Sequence, residues 1–328
     1  MIITKTPFRV SFCGGGSDMA SFYHKREGCV LSTTINKYVY LSIHPYFDDN
    51  QTLLKYSSNE LVNHPQEIQH KIFRDVLSDY DANGIEIVST ADIPAGTGLG
   101  SSSTFTVGLL HTMNCYKGKY VSKSWLAQKA CQVEIEHLGS PIGKQDQYAA
   151  AFGGLNFIRF HQDDTVSVEP IIMMPETYSE LQSRLVMFYT GIKHDANKIL
   201  SVQKQNISQK DKFDNLIKMT DLARDMKSAL EGNDLSAFGK IMDENWQLKK
   251  SLAQGVSNSF IDDIYDKAMR HGALGGKLLG AGGGGFLLFY TREGCQEKLK
   301  QAIGLRPFDF RFERDGTSIV YVGDKYWD

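Results

Sequence analysis

Between positions 94 and 103 the sequence reads Pro-Ala-Gly-Thr-Gly-Leu-Gly-Ser-Ser-Ser, and no other stretch restricts the chain as strongly. Glycines at 96, 98 and 100 let the backbone take positive φ at alternate positions and pass close to a ligand. The alternation in Ile85-Glu86-Ile87-Val88 predicts a short strand before the loop, and the pattern from Ser101 through Cys115 predicts a helix after it. A helix opening there offers unpaired N–H groups and the positive end of its dipole, which together cradle phosphate. Ser101, Ser102 and Ser103 add hydroxyl donors and a candidate ligand for Mg2+. A Walker loop is excluded because no lysine lies in the segment. A Rossmann turn is excluded because its glycine spacing differs and because a second helix, not a strand, follows the first. The competing reading is a strand-to-helix turn that needs glycine for geometry alone.

Other elements surround this loop. Ile2 to Phe12 reads as a strand running into Cys13-Gly14-Gly15-Gly16-Ser17-Asp18, where Ser17 or Asp18 is placed to cap a helix through Tyr23. Cys29 to Ile43 is β-rich, Thr52 to Tyr56 is a weaker strand, and Gln66 to Tyr80 carries a helical stripe. Helices are expected over Ser124 to Leu138 and Gln145 to Phe152, then paired strands over Leu155 to Phe160 and Val166 to Ile171. The texture changes around Met174 to Ser183, which divides the chain into 1–175 and 176–328. The second part reads as a strand at Leu185 to Tyr189 and helices from Asp195 to Arg270. Strands at Ala273 to Leu279 and Phe286 to Tyr290, a helix over Cys295 to Ile303 and two closing strands complete it. This order argues for two α+β domains rather than a doubly wound sheet.

Further groups carry chemistry. Asp146 follows the turn Gly139-Ser-Pro-Ile-Gly-Lys and opens a short helix; it is either a first-turn carboxylate favoured by the dipole or a group that accepts a hydroxyl proton. Glu134 is either a solvated face residue or a metal ligand, and Arg9 either a surface ion-pair partner or a cation at the reacting centre. Asp18 either caps its helix or accepts hydrogen bonds from a polyol. The second glycine run, Lys277-Leu-Leu-Gly-Ala-Gly-Gly-Gly-Gly285, costs too much backbone entropy for a bare hairpin. It reads as backbone pressed against a ligand or against the first glycine loop.

Composition removes other classes. A formal net charge of -2 leaves no footprint for nucleic acid, and no apolar stretch is long enough to span a bilayer. The five scattered cysteines contain no CxxC pair, which fits reduced thiols and a cytoplasmic protein whose partners are small molecules. The alternating start, Met-Ile-Ile-Thr-Lys-Thr-Pro-Phe-Arg, is not the pattern of a secretory signal. Oligomeric state is not legible.

Thr6-Pro-Phe-Arg-Val-Ser-Phe-Cys-Gly-Gly-Gly-Ser-Asp18, Pro94 to Ser103 and Lys277 to Gly285, in that order, resemble the three motifs of the galactose, homoserine, mevalonate and phosphomevalonate (GHMP) kinases. Within that superfamily, Gly14-Gly15-Gly16-Ser17-Asp18 and Ile142-Gly-Lys-Gln-Asp-Gln-Tyr-Ala-Ala-Ala-Phe-Gly-Gly154 are most similar to the D-glycero-D-manno-heptose 7-phosphate kinases. The Gly-Glu-His of galactokinases is absent from the first motif.

The resemblance implies a fold with a domain like that of ribosomal protein S5 followed by a ferredoxin-like domain with added helices. It implies ATP and Mg2+ as cofactors and a sugar phosphate as the small-molecule partner. Asp146 and Arg9 would be catalytic, and Ser102 and Glu134 the metal ligands, with Ser101 a close second to Ser102. ATP would meet Pro94, Gly96, Gly98, Leu99, Gly100, Ser101, Ser102, Ser103, Gly282 and Gly283. The sugar would meet Gly15, Gly16, Ser17, Asp18 and Gly283, with Lys193 or His194 standing where the family has arginine. A fucose-type or other hexose kinase, or a non-catalytic ATP- and sugar-binding sensor, would share these motifs.

Overall fold

The computed structural model describes residues 1–192 and 196–323, so Lys193 and His194 lie outside the described residues. The first strand, Ile2–Cys13, pairs antiparallel with Gly28–Pro45, a strand long enough to carry two different neighbours on its far side. One end of it pairs with Ile85–Ala91, which continues to Thr52–Lys55 and Asn59–Val62; the other pairs with Leu155–Phe160 and so with Val166–Pro170. These strands form a nine-stranded sheet with two more from the end of the chain: Ser318–Val322 along Ile2–Cys13, and Phe312–Glu313 along Gly28–Pro45.

The helix Ser101–Tyr116 packs on this sheet through Val107, Leu109, Leu110 and Met113. Gly108 lets it come close, because a Cβ there would press into Thr6 and Leu41. The close approach holds the start of the helix, and therefore the glycine loop, in a fixed position over the first strand.

The second sheet has four strands in the order Arg306–Pro307, Leu185–Tyr189, Phe286–Thr291 and Ala273–Leu278, all antiparallel. Taken in chain order with the helix Gln296–Ile303, this is the split βαβ arrangement of a ferredoxin-like unit. Four helices, Ala196–Asn206, Lys210–Glu231, Phe238–Lys250 and Ser259–Arg270, are inserted after its first strand. The expected mixed α+β architecture with a ferredoxin-like second half is the architecture observed.

Local expectations fail where a physical detail lies beyond the periodicity. The helix expected over Ser124 to Leu138 is α-helical only through Cys131, then turns as a π-helix from Gln132–His137. Gln66 to Tyr80 divides into a 3-10 turn at Pro65–Glu67 and the helix Lys71–Asp79. Neither Ser17 nor Asp18 caps a helix: the short helix is Ala20–Tyr23, Met19 is its N-cap, and no side chain bonds there. Among the described residues the closing segment forms three strands rather than two: Arg306–Pro307 joins the second sheet, and Phe312–Glu313 and Ser318–Val322 join the first. The division into 1–175 and 176–328 is therefore retained as a proposal, with a chain end that crosses back over it.

Candidate active site

Gly96, Gly98 and Gly100 all have φ between 76° and 86°, so each alternate glycine takes the left-handed conformation that its spacing suggested. Gly98 is also a packing site. A Cβ on it would strike the Leu279 carbonyl oxygen, and one on Gly280 would strike the Gly98 Cα. The second glycine run thus lies against the first, backbone to backbone.

At the next turn of the loop the Arg9 main-chain N–H donates to the Leu99 carbonyl (3.2 Å), and Arg9 Nη1 donates to the Gly98 carbonyl (2.7 Å). The same guanidinium grips Asp146, Nε to Oδ1 at 2.6 Å and Nη2 to Oδ2 at 2.8 Å. This bidentate geometry fixes the carboxylate plane. Arg9 is 4% exposed. A Cβ on Gly100 would lie 3.1 Å from Asp146 Oδ2, so the absence of a side chain there is what brings the carboxylate to the mouth of the glycine cradle.

The π-turn brings Glu134 into the same region. Its carboxylate, 1% exposed, accepts from Ser102 Oγ (2.5 Å) and from Gln147 Nε2 (2.7 Å). Burial pushes its pKa up; hydrogen bonds from Ser102, Ser103 and Gln147 oppose that, and the nearby Asp146 charge adds to it. Ser102, not Ser101, makes the contact with Glu134. Among the described residues no group of three His, Cys, Asp or Glu side chains is placed to hold a metal ion. Instead, one hydroxyl and one carboxylate meet: hard oxygen donors, few in number, of the kind that suits Mg2+ sharing its coordination with water and phosphate.

Arg9, Asp146 and this serine–glutamate pair line one cleft of about 820 Å3. Pro94, Gly96, Ser101 and Ser103 line it too, and Tyr56, His70 and Phe105 give it an aromatic wall. Gly15, Gly16 and Asp18 form another part of the wall. Asp18 is buried, and its carboxylate accepts from the N–H groups of Gly16 (2.9 Å) and Gln145 (3.2 Å). Burial raises its pKa; the Gly16 N–H opposes the rise and the Asp146 charge reinforces it. Ser11 Oγ and Gln145 Oε1 also face this wall, buried and without a protein hydrogen-bond partner. Orphaned polar atoms of this kind are what a polyhydroxylated ligand would satisfy.

Some expected site residues serve the scaffold instead. Ser17 is buried; its hydroxyl bonds the carbonyls of Gly14 and Cys29, so it holds the first glycine turn together. Leu99 is buried, and its carbonyl accepts from the Arg9 N–H. Gly282 and Gly283 turn towards Val256, which takes the Gly283 N–H at 3.0 Å, and their neighbours Gly280 and Ala281 line the cleft. In a motif with glycines at 280 and at 282–285 the sequence does not say which stretch of backbone faces outward, and the structure turns Gly280 and Ala281 to the cleft. Sequence reasoning also missed Tyr56, His70, Phe105, Ser11, Gln145, Lys249 and Lys277, all lining residues.

A loop of glycines and serines is joined to an arginine-gripped aspartate in a two-sheet α+β chain, and comparison with known proteins gives this chain its class, that of the phosphotransferases. Residues 66–154 match the family described as GHMP kinases N terminal domain, and 226–305 match GHMP kinases C terminal. The chain belongs to the GHMP kinases, which use ATP. It is 30% identical over 331 residues to the D-glycero-alpha-D-manno-heptose 7-phosphate kinase of Campylobacter jejuni, covering 96% of this chain and 98% of that one. A bifunctional fucokinase/GDP-fucose pyrophosphorylase of Arabidopsis thaliana is 28% identical, covering 90% of this chain and 30% of the relative. Among solved structures, a D-glycero-D-manno-heptose 1-phosphate kinase from Bacteroides thetaiotaomicron superimposes with a TM-score of 0.81 at 26% identity, covering 99% of this chain and 100% of the other. Among the described residues no helix is long and apolar enough to cross a membrane.

Proposed function

We propose that this kinase transfers the γ-phosphoryl group of ATP to the anomeric hydroxyl of D-glycero-D-manno-heptose 7-phosphate, giving the 1,7-bisphosphate on the way to nucleotide-activated heptose in the cytoplasm. The observation that carries the proposal is the Arg9–Asp146 pair at the mouth of the glycine cradle, with a carboxylate and two orphaned polar atoms at the adjoining wall. Similarity along nearly the whole of both chains to the Campylobacter enzyme supports the choice of acceptor.

In this reading the N–H groups at the start of Ser101–Tyr116 and the open backbone of Gly96 to Gly100 bind the nucleotide phosphates, and Tyr56, His70 and Phe105 receive the base. Asp146 holds the acceptor hydroxyl and takes its proton, while Arg9 fixes the carboxylate and offsets charge on the reacting group. Ser102 and Glu134 would hold Mg2+, which when bound would supply neutralisation of charge on the phosphate oxygens. Asp18, Gln145 and Ser11 meet sugar hydroxyls. Transfer is direct and in line, with no phosphoenzyme.

A fucose-type kinase is the second reading, favoured by the similarity to the Arabidopsis fucokinase. A coupled ADP assay over heptose 7-phosphate, fucose and mannose separates the two. The expected result is the highest kcat/KM on the heptose; a preference for fucose transfers the assignment. ATP binding without ADP formation on any sugar would instead support a sensor.

A further inference from the structure

Two lysines that belong to no catalytic pair are buried in the wall of the cleft. Lys249, 5% exposed, lies in the last turn of the helix Phe238–Lys250 and donates to the Gly280 carbonyl. Lys277, 1% exposed, stands on the strand Ala273–Leu278 and donates to the Phe12 carbonyl at 3.3 Å. Among the described residues neither has a carboxylate at ion-pair distance; each ammonium meets only a carbonyl oxygen.

These cations converge. Lys249 reaches Gly280, Gly280 packs on Gly98, and the Gly98 carbonyl takes Arg9 Nη1. Lys277 reaches Phe12, on the strand that carries Arg9. The helix that carries Lys249 also touches the first glycine turn, because Asn245 Oδ1 accepts from the Gly14 N–H at 3.2 Å. The charges facing Lys249 are Lys277 and Arg9, which repel it, and Asp18 and Asp146, which attract it.

Burying an ammonium without an ionic partner is strongly unfavourable, and like charges nearby add to the cost. Burial first, then neighbouring cations, lowers the Lys249 pKa far below its usual value, and burial takes Lys277 down to about 8. Two carbonyl hydrogen bonds do not need charged donors. What does need them is an anion entering the cleft.

We propose that Lys249 and Lys277, together with Arg9, form a receptor for a phosphate dianion inside the cleft. The inference rests on the phosphotransferase reading and deepens it: the dianion is either the acceptor's own phosphate or the phosphoryl group in transfer. Both present the same chemistry to the ammonium groups.

The test uses Lys249→Met and Lys277→Met, which keep the stem and delete the charge. Isothermal titration with inorganic phosphate at fixed ionic strength is expected to show each variant binding about ten- to a hundredfold more weakly, as for loss of a charged hydrogen bond. Both variants should melt at or above the wild-type temperature, because each removes the cost of burying an amine that must either stay charged without an ionic partner or give up its proton on folding. Steady-state rates with heptose 7-phosphate and with the same heptose lacking its phosphate then separate the sources. A KM increase confined to the phosphorylated acceptor assigns the lysines to the acceptor's phosphate. An equal fall in kcat on both acceptors assigns them to the transferred group. Phosphate affinity within twofold of wild type in both variants, or weaker binding accompanied by a lower melting temperature, overturns the proposal. If the wild-type protein forms no ADP with any sugar, the kinase reading fails, while the phosphate titration still decides this one.

Discussion

Replacing Asp146 by Asn separates the chemical role of the carboxylate from its structural one. The side chain keeps its shape and one acceptor oxygen, so one of its two bonds from Arg9 survives and the other meets an amide instead. Arg9 also keeps the Gly98 carbonyl. Charged hydrogen bonds contribute roughly 1.5–3 kcal/mol each, and Asp146 is only partly screened at 21% side-chain exposure, so a stability loss of about 1–2 kcal/mol is expected. In a chain of this size that lowers the melting temperature by about 1–3 °C.

Catalysis loses far more. Removal of a positioned proton acceptor costs about 10²–10⁴ in rate, or roughly 3–5 kcal/mol of barrier. The assay is ADP release at saturating ATP and sugar phosphate, with nucleotide affinity measured separately by titration. Affinity should change little, because the glycine cradle is untouched. An Asp146→Asn enzyme within tenfold of wild-type kcat would refute the role given to this carboxylate, and so would a variant whose loss lay entirely in ATP affinity.

Other consequences are equally direct. Gly98→Ala must place a Cβ at φ 86° and against the Leu279 carbonyl, so it should lose at least about 2 kcal/mol of stability and most ATP affinity, read by thermal melting and nucleotide titration. Chelation by EDTA should abolish wild-type turnover and added Mg2+ restore it; Glu134→Gln should raise the Mg2+ half-saturation by about tenfold or more. Lys277 releases its proton near pH 8 when folded but near 10.5 when unfolded, so between those values the unfolded chain holds the extra proton and stability rises with pH. The displacement is worth roughly 3 kcal/mol, fully felt as a cost below pH 8. Urea denaturation at pH 7.5 and pH 10 should show this rise in the wild type, and Lys277→Met should lack that increment.

The parts of the site that were legible in the sequence are those whose chemistry is local. Positive φ at alternate residues demands glycine, so the loop from 96 to 100 declared its own shape. Asp146 was visible because a glycine–proline turn and a short helix frame it, and the helix Gln145–Phe152 has the bounds its pattern gave. Glu134 was named, but not the means of its placement, since a π-turn leaves the helical period almost unchanged while rotating the residues beyond it.

Lys249 was hidden because lysines near a helix end read as solvated. A signal existed nonetheless: Phe238, Met242, Asn245 and Lys249 form one buried stripe, which Lys250 leaves. Lys277 was hidden inside a glycine motif that drew attention to its glycines. The return of Ser318–Val322 to the first strand was not legible, because strand partners are a tertiary matter and the alternation carries no address.

The most direct trial is to incubate the protein with Mg2+, ATP and D-glycero-D-manno-heptose 7-phosphate, then identify the product by mass and by phosphorus NMR. The account predicts a heptose carrying one additional phosphoryl group, with the new phosphorus coupled to the anomeric proton. A new phosphate on any other carbon, or an unaltered sugar recovered from a reaction in which fucose is phosphorylated, would contradict it.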